Sequence, residues 1–461
     1  MATNGPATPV QGHRWDKKDL ERRICHALEI AKQAVERLAS TGYTDPDEPG
    51  NSIRPEKLIS ETALLLYATS RVGHLDGLRA RVECVAQLLI PHARSERMLL
   101  GVCLQPAIAL DYAHAHVLLS RLGYQDSGFD ALLEQSVRSQ ARAGRERTPH
   151  RTLEQEWIRG TWKDSRTVPR QCTPPAALNS VLNQSMDLLS GSREDIYAFT
   201  HALMYVTGFN ISPRRLPRAR GAILAEAEAA LARCLDEQDY DLGGEVLLAW
   251  PLTGATWSPA AAFGFHVLAR VEDQAGFLPA PGTRLERLNK LQGGDRTNYL
   301  LATAYHTAYV MGLLCAAALQ PGRTPPSRIP TNGSARGSAK MILRCLDAEG
   351  QSAHWRDQLN QLDDLERDAI AGLLLSIALR RKISQRQYGA VQQLLKMGYD
   401  LGLADTPASS QAAEMLERLA TFADATRGQP PRLKGASPCI SAAPLFETDL
   451  TRMADGPLVS G

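Results

Sequence analysis

Apolar residues recur at helical spacing along most of the chain, beginning with the segment DLERRICHALEIAKQAVERLAS. Leu20, Ile24, Leu28, Ala31 and Val35 lie three or four positions apart, so they form one stripe of a helix with charged residues on the opposite side. No run of alternating β-branched residues, the pattern typical of strands, is found in the sequence. We therefore predict an all-α protein.

The same spacing predicts a long series of further helices, with short connections that favour antiparallel hairpins. Some hairpins are fully apolar and others amphipathic, as expected for a buried inner layer and a half-exposed outer layer. The sequence thus predicts an α/α toroid, a double layer of helical hairpins, with a helical solenoid as the alternative. The predicted helices cover residues 56–72, 76–90, 93–104, 106–122, 128–140, 151–160, 176–189, 193–207, 217–236, 241–250, 258–275, 284–291, 295–319, 338–348, 352–361, 363–381, 384–402 and 408–425.

Composition divides the chain into a main helical domain, 13–321, and a C-terminal helical part, 340–425. Between them, GRTPPSRIPTNGSARGSA (322–339) has the proline, glycine and serine content of a linker or surface loop. The two ends, 1–12 and 426–461, are predicted to be disordered. The sequence leaves open whether the C-terminal part completes the toroid or forms a separate lobe.

Charge and cysteine usage narrow the choice of partners. With 52 basic and 50 acidic residues, the chain has no global field that would attract nucleic acid or an anionic membrane. The eight cysteines are scattered singly, without CxxC pairs, which fits a reducing cytoplasm. The N-terminus lacks the apolar stretch of a secretory signal. We expect a cytoplasmic protein with a small-molecule substrate and no nucleic-acid or membrane partner, and we allow for a biosynthetic protein partner.

One segment, YLLATAYHTAYVMGLLCAAAL (299–319), has the length of a membrane span and contains no Asp, Glu, Lys or Arg. Its central His306, two threonines and three tyrosines are unusual for a span, and the chain has no second segment of this kind. We therefore expect a buried helix of a soluble protein.

Candidate chemistry first appears in REDIYAFTHALMYVTGF (193–209). Positions three, four, seven and eleven apart share a helix face, which aligns Glu194, Tyr197, His201 and Tyr205. The other side of the helix carries core residues. A polar, aromatic face on an otherwise apolar helix favours one wall of a polar pocket.

The helix predicted at 295–319 repeats this arrangement, because Asp295, Tyr299, His306 and Tyr309 follow one face. Each of these two helices brings a histidine, flanked by tyrosines, into an apolar environment. A shared cavity would explain both.

Between them, DYDLGGEVLLAWPLTGATWSPAAAFGFHVLARVEDQAGF (239–277) carries two further pairs of ionisable residues. Asp241 and Glu245 are one helical turn apart, and so are His266 and Arg270 on the next helix. Burying unpaired charges is costly, so we expect these groups to be paired.

Each residue also has a structural interpretation. A core histidine often bonds a backbone carbonyl or a carboxylate, Arg270 and Asp273 could form an ion pair, and Asp241 with Glu245 could complement a helix dipole. The clustering of these residues on consecutive inner helices favours a functional site. His114 and His116 lie two positions apart, face different ways on a helix, and are expected to be solvated or structural.

The motifs REDIYAFTHALMYVTGF, DYDLGGEVLLAWPLTGATWSPAAAFGF and YLLATAYHTAYVMGLLCAAAL resemble a family of uncharacterised actinobacterial all-helical proteins, some of them linked to specialised-metabolite gene clusters. The resemblance covers residues 55–425. It implies a family and not an activity, and no GxGxxG, Walker, GxSxG or HExxH motif supplies one.

Our first hypothesis is an enzyme of bacterial specialised metabolism, of lyase or cyclase type, that performs elimination or intramolecular cyclisation in a central cavity. His201 and His306 would transfer protons, and Glu245 or Asp241 would act as base or orient a histidine. No cofactor is expected; the alternative is zinc or iron bound by His201, His266 and His306. The predicted substrate-binding residues are Tyr197, Tyr205, His266, Arg270, Tyr299 and Tyr309.

The second hypothesis is a non-catalytic helical scaffold, or a partner protein for another biosynthetic enzyme. It predicts that the three histidines do not converge on one pocket.

Overall fold

A computed structural model describes residues 16–39, 42–44, 48, 52–72, 76–139, 144–163, 173–210, 215–331, 337–347 and 354–427. These residues are mostly helical, so the predicted all-α class is confirmed. The N-terminal segment predicted to be disordered lies outside the described residues. So does the predicted disordered tail, apart from residues 426 and 427 at the end of the last helix.

The helices vary from single turns to one of 26 residues. In chain order they are α1 (Lys17–Glu36), α2 (Pro55–Ser70), α3 (Asp76–Ala93), α4 (Glu96–Leu104), α5 (Ala109–Arg121), α6 (Ser127–Val137), α7 (Pro149–Trp162), α8 (Pro175–Leu178), α9 (Arg193–Thr207), α10 (Arg220–Asp236), α11 (Tyr240–Leu247), α12 (Ala249–Thr253), α13 (Pro259–Ala275), α14 (Leu285–Lys290), α15 (Gly293–Ala318), α16 (Ser338–Asp347), α17 (His354–Leu359), α18 (Asp364–Ala369), α19 (Ala371–Ser384), α20 (Tyr388–Asp400) and α21 (Pro407–Arg427).

One helix was predicted in the wrong place. Residues 176–189 do not form a continuous helix, because α8 ends at Leu178. Further on, the backbone bonds a distant side chain: Leu188 N–H donates to Gln411 Oε1 at 2.9 Å, and Gln411 Nε2 donates to the carbonyl of Met186 at 2.6 Å. A contact with α21 thus replaces the helical hydrogen bonds that the local sequence favours.

Two smaller differences concern strands and a break. The strands β1 (Tyr43–Thr44) and β2 (Ser52–Ile53), which were not predicted, pair antiparallel with Tyr43 opposite Ile53. The helix predicted at 363–381 is divided at Ile370, whose backbone leaves helical geometry between α18 and α19.

Helix caps set the ends of the two segments that carry candidate chemistry. Ser192 and Asp195 form a capping box at the start of α9, and Gly208 ends this helix in the left-handed conformation, at φ 55°. Asp239 caps α11 by accepting the N–H of Leu242 at 3.1 Å. These caps fix which residues of α9 and α11 face the same way.

Six helices contact one another in a closed circuit. α2 contacts α5, α5 contacts α7, α7 contacts α9, α9 contacts α11, α11 contacts α15, and α15 contacts α2. We call these six the ring helices. Other helices pack against them: α1 against α15 and α2, α3 against α2, and α10 and α13 against α11.

Glycines let ring helices approach closely. A Cβ on Gly244 of α11 would lie 2.6 Å from Val310 Cγ1 of α15, and one on Gly312 would lie 2.7 Å from Ala27 Cβ of α1. Both distances are shorter than van der Waals contact, so only glycine fits without a shift of the neighbouring helix.

A buried arginine joins α1 to α13. Arg23 is fully buried, contacts Glu272, and donates to Asp273 Oδ2 at 2.8 Å. Arg22 also donates to Asp273 at 2.8 Å. The ion pair considered between Arg270 and Asp273 is therefore replaced by pairs between Asp273 and the arginines of α1.

The C-terminal helices pack against the part of the chain that precedes them. α19 contacts α10, and α17 contacts α13. Arg381 Nη2 lies 2.6 Å from Asp236 Oδ1, and the Trp355 indole donates to the same carboxylate at 3.3 Å. The division of the chain at 322–339 stays a prediction.

By length and composition, α15 is the one single helix in the described ranges that could cross a membrane. The bent pair Glu96–Leu104 and Pro106–Arg121 passes the same test only when its two parts, at 110°, are taken together. Of the apolar window of α15, 78% is buried inside the protein, which is compatible with a soluble protein.

Candidate functional site

The ring helices surround a cavity of about 680 Å³. This volume suits a small molecule, since ligand pockets typically measure about 300–1,000 Å³. Each ring helix contributes at least one ionisable side chain to the lining: Glu61 of α2, His114 of α5, Glu154 of α7, His201 of α9, Glu245 of α11 and His306 of α15.

Most of the residues predicted to form a site lie on this cavity. His201, Glu245 and His306 all line it, although they come from three different helices. Asp241 lies behind His306, with its Oδ1 atom 2.6 Å from Nδ1 of the imidazole. The tyrosines that line the cavity are Tyr197, Tyr205 and Tyr309.

Three predicted substrate-binding residues lie elsewhere. His266 Nε2 is 2.9 Å from the carbonyl oxygen of Pro326, and burial lowers its pKa to about 4. Arg270 donates to Gln358 at 3.4 Å, and the Tyr299 hydroxyl accepts the backbone N–H of residue 284 at 3.0 Å. The structure thus separates His266, Arg270 and Tyr299 from the cavity that we expected them to share.

His306 lies between two carboxylates. Its Nδ1 atom contacts Asp241, and its Nε2 atom lies 3.5 Å from Glu61 Oε1. Burial disfavours the charged imidazole, but the negative charges of Asp241 and Glu61 outweigh burial and raise the pKa of His306 to about 9. Burial also opposes ionisation of Asp241, yet His306 and Arg193 lower the pKa of this carboxyl group. His306 is therefore protonated at neutral pH.

Glu61 was not predicted as a site residue. Its Oε2 atom accepts the Tyr305 hydroxyl at 3.0 Å, and Lys57 Nζ lies 3.7 Å from Oε1. Glu61 belongs to a helix with several charged residues near its start, where a carboxylate is usually solvated. The sequence therefore holds no local signal that separates Glu61 from a surface residue.

His201 and Glu245 form a second group on the cavity wall. Glu245 is 3% exposed, and its Oε2 atom accepts the Thr200 hydroxyl at 2.5 Å and lies 3.4 Å from His201 Nδ1. The same Nδ1 lies 3.1 Å from the carbonyl oxygen of Tyr197. Among the residues that the structure describes, His201 Nε2 and Glu245 Oε1 have no hydrogen-bond partner. These two atoms can therefore bond a bound molecule.

A third group joins α7 to α9. Glu154 accepts the Tyr205 hydroxyl at 2.8 Å and Arg151 Nη1 at 2.8 Å, while Arg151 Nη2 donates to the Tyr197 hydroxyl at 3.3 Å. Burial would raise the pKa of Glu154, but the charge of Arg151 outweighs this effect, so the pKa is lowered. Burial also raises the pKa of Tyr205 well above its ordinary value, which keeps the phenol neutral.

His114 is a cavity residue for which the sequence favoured a solvated or structural role. Its side chain is buried and lines the cavity, and its Nε2 atom has no hydrogen-bond partner in the described part of the chain. Burial lowers its pKa, so the imidazole is neutral. The neighbouring His116 differs, because its Nε2 atom bonds Asp130 at 3.0 Å and its ring stacks on Phe129.

No three His, Cys, Asp or Glu side chains within the described ranges are arranged to hold a metal ion. The alternative zinc or iron site of His201, His266 and His306 is thus not assembled there. The chemistry that the cavity offers comes from acids, bases and hydroxyl groups.

The ring helices that surround the cavity lie in a part of the chain that matches one known domain family. Residues 25–316 match a family described as a domain of unknown function, DUF6895. The match includes all six ring helices up to the last two residues of α15. No curated protein and no solved structure matches the chain.

Proposed function

We propose that this chain, which belongs to the DUF6895 family, is an enzyme that catalyses acid–base chemistry on a small molecule bound in the cavity. One observation carries the proposal. A protonated histidine, His306, and a potential base, His201 with Glu245, line the same cavity of about 680 Å³. An acid and a base beside one substrate are the groups that elimination and intramolecular cyclisation require.

In the proposed reaction, Glu245 or His201 removes one proton from the substrate through the atoms that lack protein partners. His306 donates one proton to the leaving group of an elimination, or to the atom that gains negative charge in a cyclisation. Asp241 and Glu61 hold the His306 imidazole in its charged form until it donates. One proton is taken and one is given, so the reaction needs no redox partner.

The tyrosines position the substrate in this proposal. Tyr205 is held by Glu154, and Tyr309 has its hydroxyl 2.9 Å from Thr62 Oγ1, so both rings are fixed in orientation. Tyr197 stacks against His201 with ring centroids 3.8 Å apart. Fixed aromatic faces can also shield positive charge that develops during the reaction.

The proposal includes three broader expectations. The closed circuit of ring helices supports an α/α toroid, with the ring helices as its inner layer. The resemblance of the three sequence motifs supports a role in bacterial specialised metabolism, as a lyase or cyclase. The balance of charge and the scattered cysteines support a cytoplasmic location.

Incubation of the protein with a small-molecule extract of its native cells, followed by mass spectrometry, tests the function. We expect one compound to be consumed and to yield a product of equal mass, for a cyclisation, or of lower mass by the leaving group, for an elimination. His306→Gln and His201→Gln should each abolish the conversion. His92→Gln, which changes a histidine outside the cavity lining, serves as the matched control.

An extract that the wild-type protein leaves unchanged would reject the enzyme and favour the scaffold hypothesis. A conversion that persists in both cavity variants would reject the assigned residues. Elemental analysis of the same sample would detect stoichiometric zinc or iron, which would replace the proposed metal-free reaction by metal-dependent chemistry.

A further inference from the structure

The residues of the cavity lining that are exposed to solvent are all basic, and we call the part of the lining that they form the mouth of the cavity. Two of them pair with cavity acids: Lys57 lies 3.7 Å from Glu61, and Arg151 lies 2.8 Å from Glu154. The others form no ion pair with any described residue. The four basic residues of the lining are Arg54, Lys57, Arg145 and Arg151, and all four are exposed.

Acidic residues of the lining near the mouth are neutralised by residues that do not line the cavity. Arg97 Nε donates to Glu56 Oε1 at 2.5 Å. Asp111 accepts Gln155 Nε2 at 2.9 Å and lies 3.4 Å from Arg147 Nη1. Because Glu56 and Asp111 are paired with these other residues, they form no ion pair with Arg54 or Arg145 within the described part of the chain.

The orientation of three ring helices, α2, α5 and α7, adds positive electrostatic potential at the first cavity. Apart from Leu64, the cavity-lining residues of α2, α5 and α7 come from the N-terminal halves of these helices. A second cavity of about 340 Å³ is lined by the C-terminal ends of α2 and α15, at Arg71 and Gln320. The N-terminal ends of α2, α5 and α7 thus lie toward the first cavity, where their dipoles favour an anion.

His114 adds a buried, neutral polar group to the wall of the cavity. Its neutral imidazole is buried on α5, lines the cavity, and has an Nε2 atom without a hydrogen-bond partner among described residues. A buried polar atom without a partner is costly.

We infer that the mouth of the cavity binds an anionic group of the substrate, a carboxylate or a phosphate, through Arg54 and Arg145. The reacting part of the same molecule then lies deeper, beside His201, Glu245 and His306. This inference rests on the proposed function for the reacting part only. Arg54 and Arg145 thus replace Arg270, which the sequence predicted to bind the substrate and which lies outside the cavity.

Two dyes that differ by one sulfonate group test this inference. Anilinonaphthalene sulfonate is anionic, and N-phenyl-1-naphthylamine is its uncharged analogue; both report binding by fluorescence. The variant Arg54→Gln/Arg145→Gln is compared with Arg79→Gln/Arg138→Gln, which removes the same charge from exposed arginines that are not part of the cavity lining. Leu64→Phe narrows the first cavity only, because Leu64 does not line the second cavity, and it identifies binding inside the first.

We expect the Kd of the anionic dye to rise about tenfold in Arg54→Gln/Arg145→Gln, and less than about twofold in the control, because two charge-assisted contacts are lost only in the former. The Kd of the uncharged dye should change in neither variant. An equal rise in the mouth variant and the control, or no rise in either, would overturn the inference.

The dyes also separate this inference from the proposed function. If Leu64→Phe weakens binding of the uncharged dye while the mouth variant leaves binding of the anionic dye unchanged, the inferred anion site fails and the cavity remains a small-molecule site. If neither dye binds the wild-type protein, the anion site is overturned and the small-molecule cavity of the proposed function fails with it.

Discussion

The charged state of His306 makes a quantitative prediction about stability. In an unfolded chain the pKa of this histidine is about 6.5, and in the folded protein it is raised to about 9. A group whose pKa is raised on folding stabilises the folded state below its unfolded pKa, and this stabilisation is lost as the pH rises through the folded pKa. The relevant window is therefore pH 6.5 to about 9.

The size of the effect follows from these two values. The difference between the folded and unfolded pKa of His306 stabilises the folded protein by about 3 kcal/mol below pH 6.5, because a change of one in the pKa corresponds to about 1.4 kcal/mol. Of this, about 2 kcal/mol should be lost between pH 7 and pH 9. The groups that face His306 are Asp241, Glu61 and Lys57, with Arg193 behind Asp241. The pKa of the Asp241 carboxyl group is lowered, so Asp241 stays ionised in this window and we assign the change to His306.

Urea unfolding followed by circular dichroism at pH 7 and pH 9 measures this loss. His306→Gln should remove the loss of about 2 kcal/mol, while other groups that titrate in the window cancel in the comparison with wild type. His92→Gln is the control: burial lowers the pKa of His92, so it is neutral throughout the window. Equal pH dependence in wild type and His306→Gln would refute the charged state of His306.

Three further predictions concern packing and buried polar groups, and each is measured as the free energy of unfolding in urea. His114→Phe should stabilise the protein by about 1 kcal/mol, because it removes a buried nitrogen without a partner; destabilisation would show that this atom is paired. Gly312→Ala should destabilise by about 1–3 kcal/mol, since its Cβ would lie 2.7 Å from a side-chain carbon of α1, whereas Gly221→Ala, with open space around it, should not destabilise. Arg23→Met should destabilise by about 3–5 kcal/mol, because Glu272 is then buried without a cation; a change below about 1 kcal/mol would contradict the buried ion pair.

Helical spacing was sufficient to predict the fold class and most helix positions, because the periodic contrast between core and solvent faces is strong in segments such as α1 and α9. It failed at residues 176–189, where Leu182, Met186 and Leu189 have helical spacing but the backbone bonds Gln411, more than 200 residues away. Local periodicity contains no information about such a distant partner.

The site could be predicted only in part, because the local sequence also contains no information about which distant residues meet in the fold. His201 and His306 stood out because each is a polar residue on an apolar helix. Glu61 and Glu154 did not, since both lie in charged segments where a carboxylate is normally solvated. His266 met the same criterion as His201, yet its helix, α13, packs against α11 instead of joining the circuit. Which faces meet is decided by tertiary packing.

The ring helix α9 lines the cavity with one face and packs into the hydrophobic core with the opposite face. On α9, Tyr197 and His201 line the cavity, Phe199 and Leu203 are buried in the core, and Tyr205 belongs to both. A substitution at His201 would therefore change the cavity wall, and a substitution at Phe199 would change core packing. Under the proposed function, exchanging the groups around the cavity one helix at a time would change the molecules that the cavity accepts without rebuilding the core.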